Sequence, residues 1–173
     1  MTYFIVGYMY AGKSTVGRTV ARRLGMEFVD LDREFEHRYK IEVARFFEKY
    51  DEPAFRRLEA TLLREVTQTH ENVVVATGGG TPCYGDNMDF MLGAGCVVWL
   101  DITPEAVVSR ALVSHNPRPL LKGRDGDELL TFVRRQMAER RPYYARANVV
   151  LEALHPDFNL VPGWAESRVV EGK

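Results

Sequence analysis

Residues 3–15 read YFIVGYMYAGKST: four apolar residues, a glycine-bounded loop, and the opening of a helix-like stretch. Gly7, Gly12, Lys13 and Ser14 occupy the fixed places of the pattern G-x-x-x-x-G-K-[ST]. The pattern acquires chemical meaning only when a strand precedes it and a helix follows. Successive backbone N–H groups and the positive end of the helix then face one anion. Both conditions hold here. TYFIV reads as a short buried strand, and in KSTVGRTVARRL (13–24) Val16, Val20, Ala21 and Leu24 recur on one helix face. A loop of this kind lets Lys13 reach the β- and γ-phosphates of a nucleotide, brings the Ser14 hydroxyl to Mg²⁺, and sets Thr15 beside the α-phosphate. The bland alternative, a glycine turn with a surface lysine, leaves the coincidence of strand, loop, helix and four residue types unexplained.

Working outward, apolar strand-like runs alternate with helical segments. MEFVD (26–30) is a second strand, NVVVAT (72–77) a third, CVVWLDI (96–102) a fourth and ANVVLEA (147–153) a candidate fifth. Between them lie helical segments in 32–50, with Phe35, Tyr39, Phe46 and Phe47 as anchors, and a longer helix at about 53–70 with Leu58, Leu62, Leu63 and Val66 on one face. PEAVVSRAL (104–112) and DELLTFVRRQMAERR (127–141) are also helical. Continuous Val, Ile and Leu runs separated by helices predict a parallel sheet covered on both faces, a doubly wound α/β domain. The segment SHNPRPLLKGRDG (114–126) is basic and rich in Pro and Gly, as a lid would be.

The 173 residues suffice for one domain and are too few for two ordinary ones. A formal net charge of −1, with basic residues clustered by motif rather than along a stripe, gives no support for nucleic-acid binding. Anionic ligands must be held by local charge. Cys83 and Cys96 form neither a disulfide framework nor a zinc site, and free thiols in a reducing cytosol are the expectation. No apolar run has the length of a membrane span, and the first residues read as a strand rather than a signal peptide. A cytoplasmic protein is expected.

Three further features converge on an acceptor site. VDLD places Asp30 and Asp32 two apart at the end of the second strand, where an extended chain projects both toward the ligand crevice. One carboxylate is suited to the Mg²⁺ water shell and the other to an acceptor hydroxyl, while Asp32 also stands where an N-cap would. Arg56 and Arg57 in AFRRLE, with Arg140 in ERRPYY, offer guanidinium groups for a carboxylate. Gly78, Gly79 and Gly80 end the third strand and leave its backbone open to a ligand.

GYMYAGKST, FVDLD, FRRLE, ATGGG, RPLL and RRPYY stand in the order and spacing of shikimate kinases, and the chain resembles that family from about residue 3 to residue 150. The resemblance implies a nucleoside monophosphate kinase-like P-loop fold: three layers, α/β/α, around a central five-stranded parallel sheet in one domain spanning 1–173. It implies a substrate-binding helical region at about 32–60 and a lid at about 112–126. The implied activity is ATP-dependent phosphorylation of the 3-hydroxyl of shikimate, with Mg²⁺ as cofactor. Residue by residue, Tyr10, Ala11, Gly12, Lys13, Ser14 and Thr15 would hold the ATP phosphates, Arg110 would face the adenine, and Arg118 would swing in with the lid. Ser14, and Asp30 through water, would hold Mg²⁺. Asp32 would bind the shikimate hydroxyls and orient or deprotonate the 3-hydroxyl. Arg56 and Arg140 would clamp the carboxylate, Gly78, Gly79 and Gly80 would offer backbone contact, and Glu59 would fix Arg56 through an i,i+3 pair. Lys13, Asp32 and Arg118 are thus the implied catalytic set.

The chain departs from the family in two places. Tyr10 stands where the family usually has glycine, a strained choice if the backbone there has φ > 0. The tail HPDFNLVPGWAESRVVEGK (155–173) lacks the pattern of a regular final helix. Two other readings follow: a kinase for another small polyhydroxy acid such as gluconate, and a catalytically weak nucleotide-binding regulatory module.

Overall fold

In a computed structural model, which describes residues 1–114 and 125–167, all five strands run parallel. They are β1 (Thr2–Gly7), β2 (Glu27–Asp30), β3 (Val73–Ala76), β4 (Cys96–Asp101) and β5 (Val149–Glu152), in the order β2-β3-β1-β4-β5. Tyr3 pairs in register with Val74 on one side and Cys96 on the other. The candidate fifth strand forms and pairs with β4.

Seven helices are described: α1 (Lys13–Leu24), α2 (Leu31–Tyr39), α3 (Val43–Lys49), α4 (Glu52–Thr69), α5 (Asn87–Ala94), α6 (Pro104–Val113) and α7 (Gly126–Tyr144). They cover both faces of the sheet. Ile5, Val74, Val98 and Leu100 point to the layer that holds Val16, Val20, Val107, Leu129 and Val133. Their strand neighbours Phe4, Val6, Val75 and Trp99 point to the layer of Leu31, Phe35, Leu62, Leu63 and Met91. The side-chain period of two therefore feeds two separate cores. Every residue of β1 and β3 is buried, which is why these strands read as unbroken apolar runs. Each large aliphatic side chain so buried contributes on the order of 2 kcal/mol of transfer free energy. Packing of this kind, more than helix propensity, holds the layers.

Local signals set the helix starts. Asp51 accepts from Ala54 N at 2.8 Å, Thr103 from Ala106 N at 3.2 Å and Asp125 from Glu128 N at 2.9 Å. Helix α1 instead opens at Gly12, in a left-handed conformation with φ 91° and no side-chain cap, so its first-turn N–H groups face the loop.

Three readings of the sequence need correction. The strand at VDLD stops at Asp30, which caps α2 by accepting from Arg33 N at 3.3 Å. Asp32 therefore lies in the first turn of the helix, not in an extended segment, and it is not the cap. Phe47 is 39% exposed, whereas Phe35 and Phe46 are buried. Helix α5 carries no amphipathic stripe, so pattern alone does not reveal it.

The tail forms a short 3₁₀ turn at Phe158–Leu160. The Phe158 ring stacks on Trp164 at 4.6 Å, Val161 is buried, and the Tyr3 hydroxyl donates to the Pro162 carbonyl at 2.7 Å. The expected lid falls largely on 115–124 and, with Arg118, lies outside the described residues.

Candidate active site

The loop between β1 and α1 is built around backbone positions that few side chains tolerate. Gly7 has φ 143°, and a Cβ there would stand 2.7 Å from the Leu100 carbonyl oxygen of the neighbouring strand. The Tyr8 carbonyl accepts from both Ala11 N at 3.3 Å and Lys13 Nζ at 2.9 Å, which tightens the turn. Ala11 is buried, Gly12, Lys13 and Ser14 are half-buried, and Thr15 is exposed. Tyr10 is the surprise, with φ 64°, a tyrosine in the left-handed region. Its carbonyl accepts from Arg110 Nη1 at 2.5 Å.

Ser14 Oγ donates to Asp30 Oδ2 at 2.5 Å. A hydroxyl and a carboxylate oxygen thus meet at the mouth of a helix N-terminus. Such hard oxygen donors suit Mg²⁺, which favours a few protein oxygens together with substrate phosphates. No group of three or more His, Cys, Asp or Glu that could hold a metal occurs among the described residues, and a phosphate-loop Mg²⁺ needs none.

The second half of the site forms around the three glycines after β3. A Cβ on Gly78 would stand 3.3 Å from Asp32 Oδ1 and 2.9 Å from Glu59 Oε1. One on Gly79 would stand 3.2 Å from Arg140 Nη1 and 3.4 Å from Met9 N, and one on Gly80 would meet Arg56 Cζ at 2.7 Å. Asp32 of α2, Arg56 and Glu59 of α4, and Arg140 of α7 therefore surround one glycine segment, and Met9 joins that segment to the phosphate loop. Arg57, by contrast, is exposed on another side of α4.

The expected i,i+3 pair forms, with Arg56 Nη1 2.7 Å from Glu59 Oε2. Glu59 is 1% exposed, and its Oε1 accepts from the buried Thr81 hydroxyl at 2.5 Å. Burial drives the Glu59 carboxyl pKa up, and Arg56 and Thr81 offset only part of that rise. Burial works against the charge on Arg56, but the Glu59 and Glu52 carboxylates outweigh it and hold its pKa above the ordinary value.

Sequence reasoning missed the residues that hold Arg140. Its guanidinium lies 5.4 Å from the centre of the Tyr8 ring, and, against the stronger effect of burial, its charge pulls down the pKa of the Tyr144 hydroxyl. The Tyr144 hydroxyl donates to the Gly79 carbonyl at 2.5 Å, and the Tyr8 hydroxyl donates to Gln136 Oε1 at 2.6 Å. Burial pushes the Tyr8 hydroxyl up to about 12 against the pull of Arg140, and it raises Tyr144 as well. Cys83 is pushed up to about 11 by burial, although Arg140 and Arg56 both pull its thiol down. Both tyrosines stand inside known motifs, Tyr8 in GYMYAGKST and Tyr144 in RRPYY, but buried aromatic residues are usually core.

A phosphate loop and a carboxylate-and-guanidinium cluster on adjoining backbone are the parts of a phosphoryl-transfer site. A family model described as Shikimate kinase matches residues 9–156. The shikimate kinase of Parabacteroides distasonis is 42% identical over 150 residues, which are 87% of this chain and 86% of that protein. The crystal structure of the Bacteroides thetaiotaomicron shikimate kinase superposes with a TM-score of 0.85 at 37% identity, covering 96% of this chain and 95% of that one. The Acinetobacter baumannii shikimate kinase, solved in complex with shikimate, gives a TM-score of 0.77 at 36% identity over 87% of this chain and 82% of that one. Similarity at this level, in sequence and in fold and across most of both partners, means that the chain belongs to the shikimate kinase family.

Proposed function

We propose that this chain transfers the γ-phosphoryl group of ATP to the 3-hydroxyl of shikimate, giving shikimate 3-phosphate and ADP. The observation that carries the reading is the gathering of Asp32, Arg56 and Arg140 around Gly78, Gly79 and Gly80, directly beside the phosphate loop. A small hydroxylated ring bearing a carboxylate fits such a pocket. The two guanidinium groups take the carboxylate, the glycine backbone allows close approach, and Asp32 takes a hydroxyl. Membership of the family supports the same substrate pair.

Phosphoryl transfer asks for alignment and charge neutralisation more than for covalent chemistry by the protein. Asp32 would hold the 3-hydroxyl in line and accept its proton as the new oxygen–phosphorus bond forms. Lys13 would turn from the Tyr8 carbonyl to the phosphate oxygens, and Arg118 would add charge from the lid. The amides of residues 10–15 would cradle the β- and γ-phosphates. Ser14 and, through water, Asp30 would hold Mg²⁺, which when bound neutralises charge on the β- and γ-phosphoryl oxygens. Arg110 would face the adenine. A monomer in the cytoplasm, organised as one domain with its substrate region at 32–60 and lid at 112–126, is part of this proposal. No helix among the described residues is long and apolar enough to cross a membrane.

The test is ADP release from Mg²⁺-ATP measured with shikimate, gluconate or quinate. Release that depends on shikimate alone is the expected result. Release with gluconate instead would reassign the acceptor pocket, and nucleotide binding without release on any acceptor would leave a regulatory module.

A further inference from the structure

Tyr10 and Lys40 are the non-glycine residues with positive φ among the described residues, at 64° and 55°. Lys40 lies at the C-cap of α2, where left-handed backbone is common. Tyr10 has no such excuse. It sits in mid-loop, where its Cβ crowds the carbonyl and the conformation persists only if neighbours hold it. Arg110 is the holder that the geometry supplies. From α6, 100 residues away in sequence, its Nη1 donates to the Tyr10 carbonyl at 2.5 Å. The same nitrogen lies 4.0 Å from where a Cβ on Gly12 would stand, so the guanidinium spans the loop from residue 10 to residue 12. The Tyr10 side chain packs at the margin of the apolar cluster that includes Ala11 and, from α6, Val107 and Ala111. Side chain and carbonyl thus both tie residue 10 into the layer that contains α6.

We infer that Arg110 is a positioning residue for the phosphate loop of this chain. By holding the Tyr10 carbonyl it keeps the peptide after residue 10 in the left-handed turn that directs the following N–H groups at the phosphates. A glycine at position 10 would adopt that turn with little strain and would need little holding. Tyrosine makes the Arg110 contact matter. The inference rests on the phosphate-loop part of the proposed function and not on the identity of the acceptor. It is also separable from an adenine contact by Arg110, which involves the base and not the loop.

The experiment is a double-mutant cycle read by calorimetric binding of Mg²⁺-tripolyphosphate, a phosphate chain without a base. The four proteins are the native chain, Arg110→Met, Tyr10→Gly and the double variant. Arg110→Met is expected to weaken binding about tenfold with tyrosine at position 10, and about twofold or less with glycine there. Equal losses in both backgrounds would overturn the inference, because the guanidinium would then act on the phosphates themselves. So would unchanged tripolyphosphate binding with weakened ATP binding, which leaves only a base contact. Arg110→Lys goes through the same cycle, so that the comparison stands if Arg110→Met fails to fold by circular dichroism. No acceptor enters the assay. A protein that shows the coupling but releases no ADP with shikimate would therefore sink the acceptor reading and leave this one standing.

Discussion

Glu59 Oε2 stands 2.7 Å from Arg56 Nη1, one turn apart on α4, and the carboxylate is almost wholly buried while the guanidinium lies against Gly80. In the proposed function, the pair would aim a cation at the substrate carboxylate at the cost of a buried anion. Removing the anion leaves Arg56 only the exposed Glu52 carboxylate, 3.2 Å away, and strands the Thr81 hydroxyl. Glu59→Ala is expected to lower stability by about 3 kcal/mol, as breaking a buried pair does, read by urea unfolding. Glu59→Gln keeps the volume and can still accept from Thr81. Its stability cost is expected near 1 kcal/mol, with the KM for shikimate raised about tenfold and the KM for ATP unchanged. An unaltered shikimate KM in Glu59→Gln would show that Arg56 finds its place unaided.

Gly80 tests the same guanidinium from the other side. A Cβ there would meet Arg56 Cζ at 2.7 Å, and the obstacle is the far end of a long side chain rather than backbone. Arg56 must give way, and doing so pulls it from the buried Glu59 carboxylate, so Gly80→Ala is expected to fold with about 3 kcal/mol lost. The displaced arginine no longer meets the substrate carboxylate. Steady-state kinetics should show shikimate KM raised at least about tenfold, with ATP KM untouched. Unchanged kinetics in a folded variant would remove Arg56 from substrate binding.

How much of this was legible in the sequence depended on how local each signal is. Gly7, Gly12, Lys13 and Ser14 fall within eight residues and are flanked by a strand and a helix, so the phosphate loop could be read from spacing alone. The two cores of the sheet were equally plain, because continuous apolar runs need cover on both faces. Asp32 reads as extended or as a cap, but it lies in the first turn of α2, which Asp30 caps. The choice of cap depends on where β2 stops, and strand ends are the least determined feature of a pattern. Tyr8 and Tyr144 were invisible as site residues because a buried aromatic ring looks like core until its hydroxyl is seen on Gln136 or on the Gly79 carbonyl. Helix α5 lacks periodicity, and the packing of Trp164 on Phe158 is a contact that no repeat foretells.

The left-handed turn at Tyr10 reverses an ordinary preference. In most loops and helices, alanine is at least as stable as glycine, which loses more chain entropy on folding. At φ 64° an alanine keeps the steric penalty and glycine does not. Tyr10→Gly is therefore expected to be more stable than Tyr10→Ala by about 1 kcal/mol, measured by urea or thermal unfolding. Comparing these two variants with each other removes the lost ring packing from the difference. The opposite order would mean that residue 10 is not left-handed in solution.

Asp32 lies next to Gly78, as Glu59 does, whereas the Ser14 hydroxyl is engaged by Asp30. The two carboxylates should consequently separate in kinetics. Asp32→Asn is expected to reduce kcat by about 10²–10⁴, the usual range for a positioned base, while ATP binding by calorimetry stays within about twofold. Asp30→Asn should act mainly on the Mg²⁺ concentration needed for half-maximal rate, because the amide carries no charge to order the water shell. Near-native kcat in Asp32→Asn would take that residue out of the chemistry.

The alkaline limb of the stability curve reports on Tyr8. Its hydroxyl is pushed from the usual 10.0 up to about 12 by burial. Below pH 10 the folded and unfolded chains both keep this proton, and the hydroxyl's contribution through Gln136 is intact. Between pH 10 and about 12 the unfolded chain releases the proton while the folded chain retains it, so the unfolded state is favoured progressively as pH rises. Tyr8→Phe has no proton to lose. It is expected to be less stable than the native protein by about 1 kcal/mol at pH 8, from the missing hydrogen bond, and that deficit should shrink as pH rises toward 12. Urea midpoints of both proteins at pH 8, 10 and 11 make the comparison. Tyr144 also has a raised pKa and is present in both chains, so its own titration cancels in the difference. A deficit that stays constant across the series would mean that Tyr8 titrates alike in the folded and unfolded chains, which its burial beneath Arg140 argues against.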